Sequence, residues 1–117
     1  MSRTSITVTD IVRAGVSQSD AIFADITNNH QILENDGRMF VEMAGVSNAS
    51  PVNITFDIPQ YYDEDLSIVD IIVELAPGGI KYAGPWKTGI FNQATNNAVY
   101  FDVSSTGVSF RGYRLAP

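Results

Sequence analysis

Apolar and polar positions alternate with period 2 in stretch after stretch of this chain, and turn residues close each stretch, the pattern of strands with one buried face. Ile6 and Val8 alternate with Ser5, Thr7 and Thr9, and Ile22, Ala24 and Ile26 with Phe23, Asp25 and Thr27. After the turn signal "ENDG", Met39, Val41 and Met43 share one face. Val52, Ile54, Phe56 and Ile58 do the same until Pro59, which lacks the N–H of a ladder residue, ends the run. Val69, Ile71, Val73 and Leu75 predict a further strand, stopped by Pro77-Gly78-Gly79 and resumed briefly over Ile80 to Ala83. Val99, Phe101 and Val103 alternate cleanly. The last strand starts in phase with Val108 and Phe110 and ends in the other phase with Tyr113 and Leu115, so a bulge is expected at Gly112.

No segment gives a convincing amphipathic helix. In "TDIVRAGVSQSDAIF", Asp10 could cap a helical turn, but Gly15 and the serines would interrupt a longer one. About eight short strands with regular turn punctuation predict an all-β chain, a single antiparallel β-sandwich or jelly-roll-like domain spanning residues 1–117. Residues 1–5 are polar apart from the leading Met and carry one charge, Arg3. They read as a flexible N-terminal arm or as one that adds to a neighbouring subunit's sheet edge.

Composition sharpens this picture. A chain of 117 residues buries about two thirds of its unfolded surface, enough for a core without a metal or disulfide. Only 17% of residues are charged, against about 25% in an ordinary soluble domain. Much of the surface is therefore neutral and cheap to desolvate when a partner covers it. Thirteen acidic residues against seven basic give a net charge of −6, which argues against nucleic acid and against an anionic membrane. There is no cysteine, so disulfides, thiolate metal sites and cysteine nucleophiles are excluded. The start "MSRTSITVTD" has no apolar signal region, so use without export is expected, and the sequons at Asn48 and Asn53 read as coincidence.

Candidate chemistry is sparse. His30 is the sole histidine and reads as a surface or strand-edge residue, not a catalytic base. No G-x-S-x-G, H-E-x-x-H, Walker or dinucleotide fingerprint occurs, so no enzyme, catalytic residue, cofactor or metal is expected. Asp63-Glu64-Asp65 could offer oxygens to calcium but reads more simply as a solvated hairpin tip. Contact residues are the remaining candidates: Arg3, Tyr61, Tyr62, Tyr82, Trp86 and Phe91. Trp86 follows the Gly84-Pro85 corner, where it either folds down as a plug over Val99 and Phe101 or stays out with Phe91 as an anchor for a neighbouring subunit.

Three passages, "TVTDIVRAGV", "NDGRMFVEM" and "APGGIKYAGPW" with the following "FNQATNNAVYFDVSS" and terminal "YRL", together resemble small proteins encoded among the virion structural genes of tailed bacteriophages. The resemblance implies a β-sandwich. It further implies a non-enzymatic structural role, as a head decoration or cement protein on the capsid exterior where major capsid protein subunits meet. The reading that follows is a bridging protein, with a homotrimer expected and assembly in the reducing host cytoplasm. A neck, tail or fibre-attachment role is the near alternative. A different class is a carbohydrate-binding or host-recognition module in which Trp86, Tyr82 or Tyr61 stack on sugar rings and Asn92, Asn96 and Asn97 bond hydroxyls.

Overall fold

The computed structural model describes residues 3–59, 70–93 and 96–115. Two five-stranded sheets pack face to face as an all-β sandwich. In chain order the strands are β1 (Thr4–Ser5), β2 (Val8–Ile11), β3 (Ile22–Phe23), β4 (His30–Ile32), β5 (Met39–Gly45), β6 (Val52–Phe56), β7 (Ile71–Leu75), β8 (Ile80–Ala83), β9 (Val99–Val103) and β10 (Val108–Leu115). One four-residue helix, α1 (Thr88–Phe91), lies between β8 and β9. The first sheet has the order β1-β4-β9-β6-β7; the second has β2-β10-β5-β8, with β3 also paired to β10.

The alternation that predicts the strands also fills the interior. Val41, Met43, Val108 and Phe110 of the second sheet face Ile54, Phe56, Val99 and Phe101 of the first, all at most 1% exposed. Phe101 meets Phe56 at 5.1 Å and Phe110 at 5.0 Å between ring centroids, and Phe56 meets Trp86 at 5.4 Å. Such offset and edge contacts add about 0.5–1.5 kcal/mol per pair beyond area burial.

The sheets are mixed rather than antiparallel. β1 runs parallel to β4, and β2 runs parallel to β10. Both parallel pairings come from one event: the N-terminal segment borders the first sheet, crosses at Ile6 and Thr7, and continues along the second. The N-terminal arm, read as either flexible or subunit-exchanging, lies against its own chain from Arg3 onward. Arg3 donates to the Asp102 carboxylate at 2.7 Å and to the carbonyls of His30 and Phe101, and its guanidinium lies 4.3 Å above the Tyr100 ring. Thr4 Oγ1 donates to Asp25, and that bond with the Asn28 and Thr27 N–H groups holds the Asp25 carboxyl down at about 2.

The N-terminal crossing explains Gly112. No bulge occurs there: β10 and β5 pair in unbroken register from Val108↔Gly45 to Arg114↔Met39. Glycine is needed because the crossing chain comes too close for a side chain, a Cβ being placed 2.9 Å from the Thr7 carbonyl oxygen and 3.0 Å from a Val8 methyl. The Gly112 N–H instead donates to that carbonyl at 3.1 Å. The phase change in the sequence is a change of burial, with Tyr113 and Leu115 apolar residues on the outer face of an unbroken strand.

Two other expectations change, and an ambiguous stretch is settled. Ten strands form among the described residues instead of about eight, since the N-terminal run divides into β1 and β2 and a further strand, β4, forms at His30–Ile32. The run Ile22–Ile26 yields only β3, because the Asp25 side chain turns the chain by accepting the N–H groups of Thr27 and Asn28, leaving Ile26 54% exposed. Between Ile11 and Ala21 no helix forms, only a turn closed by Gly15 N–H on the Val12 carbonyl.

Gly112→Ala is expected to destabilise the sandwich by about 1–3 kcal/mol, since the intruding methyl meets backbone that cannot rotate away. Thermal unfolding should fall by roughly 4–8 °C per kcal/mol. An unchanged melting temperature would contradict the close crossing.

Candidate docking face

Strand register sorts the outer surfaces of the two sheets. On the first sheet the outward positions are mostly polar: Gln31, Asn53, Thr55, Glu74 and Asp102, with Ile72 and Tyr100 the apolar members. On the second sheet they are mostly apolar. Phe23, Ser109, Ala44 and Ile80 form one row across β3, β10, β5 and β8; Arg111, Glu42 and Tyr82 form the next; Tyr113 and Phe40 the one after. Phe23 is 66% exposed, Ile80 61% and Tyr82 63%. With strands about 4.8 Å apart, a four-strand row is roughly 14 Å wide.

The centre of this face is held by Glu42. Tyr82 Oη donates to one carboxylate oxygen at 2.8 Å, and the Arg111 guanidinium lies 3.7 Å from the other. The Glu42 bond pushes the Tyr82 hydroxyl above its ordinary pKa. Arg111 also donates to the Ser19 carbonyl and Tyr113 Oη accepts the Ser19 N–H, so the loop before β3 is pinned over one side of the face. Phe40 packs between Tyr113 at 5.5 Å and Tyr82 at 6.4 Å. The rings of Tyr82, Phe40 and Tyr113 are thus held in place before any partner arrives, which lowers the ordering cost of binding. Among the described residues the Arg111–Glu42 pair balances one charge of each sign on this face, on a chain of net charge −6.

The sequence-derived contact residues separate. Tyr82 stands in the face and Arg3 anchors the N-terminal arm, while Tyr61, Tyr62 and the Asp63–Asp65 cluster lie outside the described residues. Trp86 and Phe91 are corrected as anchors, being only 3% and 9% exposed. Trp86 is the plug, and its ring lies on Phe56 in the same core cluster as Val99 and Phe101.

The plug is fastened by Asn35, which the turn reading of "ENDG" passes over. Asn35 is 4% exposed, and its amide donates to the Trp86 carbonyl at 3.0 Å and to Asn92 Oδ1 at 2.6 Å, while Asn92 Nδ2 returns a bond to the Asn35 carbonyl. Gly84 makes the corner possible: its φ is +119°, and a Cβ there would sit 2.7 Å from the Met39 carbonyl oxygen. With Trp86 and Asn92 inside, Tyr82 is the one sugar-stacking candidate left open among the described residues. Asn48, in the first sequon, gives its amide to the Ser50 and Leu75 carbonyls.

His30 is a core residue, contrary to the surface reading. It is 0% exposed, packed 5.4 Å from Phe101 and 5.0 Å from Phe110. Its Nε2 accepts the Asp25 N–H at 2.9 Å, so the proton of the neutral ring sits on Nδ1, which is buried with no hydrogen-bond partner among the described residues. Burial pushes the His30 pKa below its ordinary value of 6.5, the Thr4 backbone opposing this only in part. No group of three or more His, Cys, Asp or Glu side chains that could hold a metal occurs among the described residues.

Because the unfolded chain takes up a proton near pH 6.5 and the folded one resists it, His30 supports stability fully above that value and loses its contribution as pH falls below it. Between pH 7 and pH 5 the melting temperature should drop in the native chain and much less in His30→Phe. An equal drop in both would show that the imidazole is not the group responsible. Comparison of the chain with protein-family models, with curated proteins and with solved structures finds no match.

Proposed function

We propose that the chain is a non-enzymatic structural component of a bacteriophage virion, a decoration protein on the capsid exterior that bridges major capsid protein subunits through the outer face of its second sheet. The observation that carries this reading is the contrast between the two outer faces. One is mostly polar, with Ile72 its one large exposed aliphatic outward strand residue among the described residues, and the other displays Phe23, Ile80 and Tyr82 around a Tyr82–Glu42–Arg111 centre. Large exposed apolar groups gathered on one face mark a contact surface, and aromatic residues with few rotatable bonds are enriched in such surfaces.

The resemblance to virion structural proteins adds to this, since "APGGIKYAGPW" is the passage that supplies Ile80 and Tyr82 on β8. As a homotrimer at local three-fold positions, each copy would contribute one such face. Once the first contact forms, the others become intramolecular, so modest patches add up to high avidity.

The test is co-sedimentation of the purified protein with phage heads assembled without it, followed by thermal disruption of the loaded heads. The native protein should pellet with the heads and raise their disruption temperature. Ile80→Ser combined with Tyr82→Ser should stay folded, since both side chains are exposed, and bind at least roughly tenfold more weakly. Absence of native binding, or unchanged binding by the double variant, would refute the proposal.

A further inference from the structure

At the edge of the sandwich opposite β8, the sheets part around a cavity of about 240 Å³. Ile6 and Met39, 5% and 4% exposed, form its apolar floor, and Leu33, 42% exposed, stands at its side. Its rim carries Asp10, Glu34 and Arg114. The volume is below the roughly 300–1,000 Å³ of ordinary small-molecule pockets and suits one inserted side chain.

The rim charges are not equivalent. Arg114 is committed, donating twice to Asp10 at 2.9 and 2.8 Å and lying 3.6 Å from Asp36. The Asp10 carboxylate is correspondingly held below its usual pKa by that bond. The Glu34 carboxylate makes no hydrogen bond or close ion pair among the described residues, and its attraction to Arg114 is weaker than those of Asp10 and Asp36. The lining therefore holds two carboxylates against one guanidinium whose charge is already spoken for, above a greasy floor.

We infer that this cavity receives a lysine side chain of a partner protein, with the methylene stem against Ile6, Leu33 and Met39 and the ammonium on the Glu34 carboxylate. Lysine suits the site better than arginine, because a compact point charge on a flexible apolar stem matches one open carboxylate at the rim of a narrow hole. A purely apolar side chain would fill the floor and leave the rim's excess of carboxylate over guanidinium uncompensated. The site lies on the edge away from Tyr82 and stands independently of the docking face.

The experiment follows the Met39 and Leu33 methyl signals of the full chain by NMR during titration with Nα-acetyl-lysine methylamide, with the uncharged norleucine analogue in parallel. Saturable shifts at millimolar lysine probe are expected, with the norleucine probe, Glu34→Gln and Glu34→Gly each about tenfold weaker. Glu34→Gly keeps the readout interpretable, because the native φ of +56° is one that glycine adopts freely, so the fold is retained as the carboxylate is lost. No saturable shift with the lysine probe, equal binding of the norleucine probe, or native-like binding by both Glu34 variants would each overturn the inference.

Discussion

The column of rings from Trp86 through Phe56 and Phe101 to Phe110 is the contact on which the remaining structure depends. It joins the two sheets through the middle of the sandwich and reaches the end that Trp86 closes. His30 is built into the same stack, and its Nε2 holds the Asp25 N–H. Asp25 in turn receives Thr4 from the N-terminal arm. The arm, the turn after β3 and the corner before α1 are thus all tied to one packed interior. Losing a ring from such a column would cost on the order of 3–5 kcal/mol, a large part of the 5–15 kcal/mol by which domains are stable.

An interior closed in this way sends recognition to the outside. The first sheet turns polar residues outward, and Arg3 and Asp102 neutralise each other there. The second sheet turns out rings and aliphatic groups, of which Tyr82 is held by Glu42 and Tyr113 by the Ser19 N–H. Its edge strand β8 also carries Lys81 in register with the buried Met43. An exposed charge in a core-facing phase discourages edge-to-edge pairing with another strand. Contact through the sheet's face is favoured over contact through its rim.

Much of the fold can be read directly from the chain where one face of a strand is buried. β5, β6 and β9 follow their alternation residue by residue, because burial leaves a one-residue slip no room. Alternation is silent about which strand lies beside which. It therefore missed the parallel edges made by the N-terminal crossing, and it read Gly112 as a bulge when a distant segment dictates the glycine. His30 was misplaced for a related reason: its neighbours in sequence are turn-formers, whereas its neighbours in space are Phe101 and Phe110. The docking face was legible only at Tyr82. Phe23, Phe40 and Ile80 join it through cross-strand register, which depends on residues scattered from β3 to β10.

The central claim is that the second sheet's outer face meets the partner. Hydroxyl-radical footprinting of the protein free and bound to phage heads measures this residue by residue. Tyr82 and Phe23 should lose reactivity on binding while Ile72, equally open on the first sheet at 63%, keeps it. Protection of Ile72 with Tyr82 and Phe23 left reactive would contradict the account.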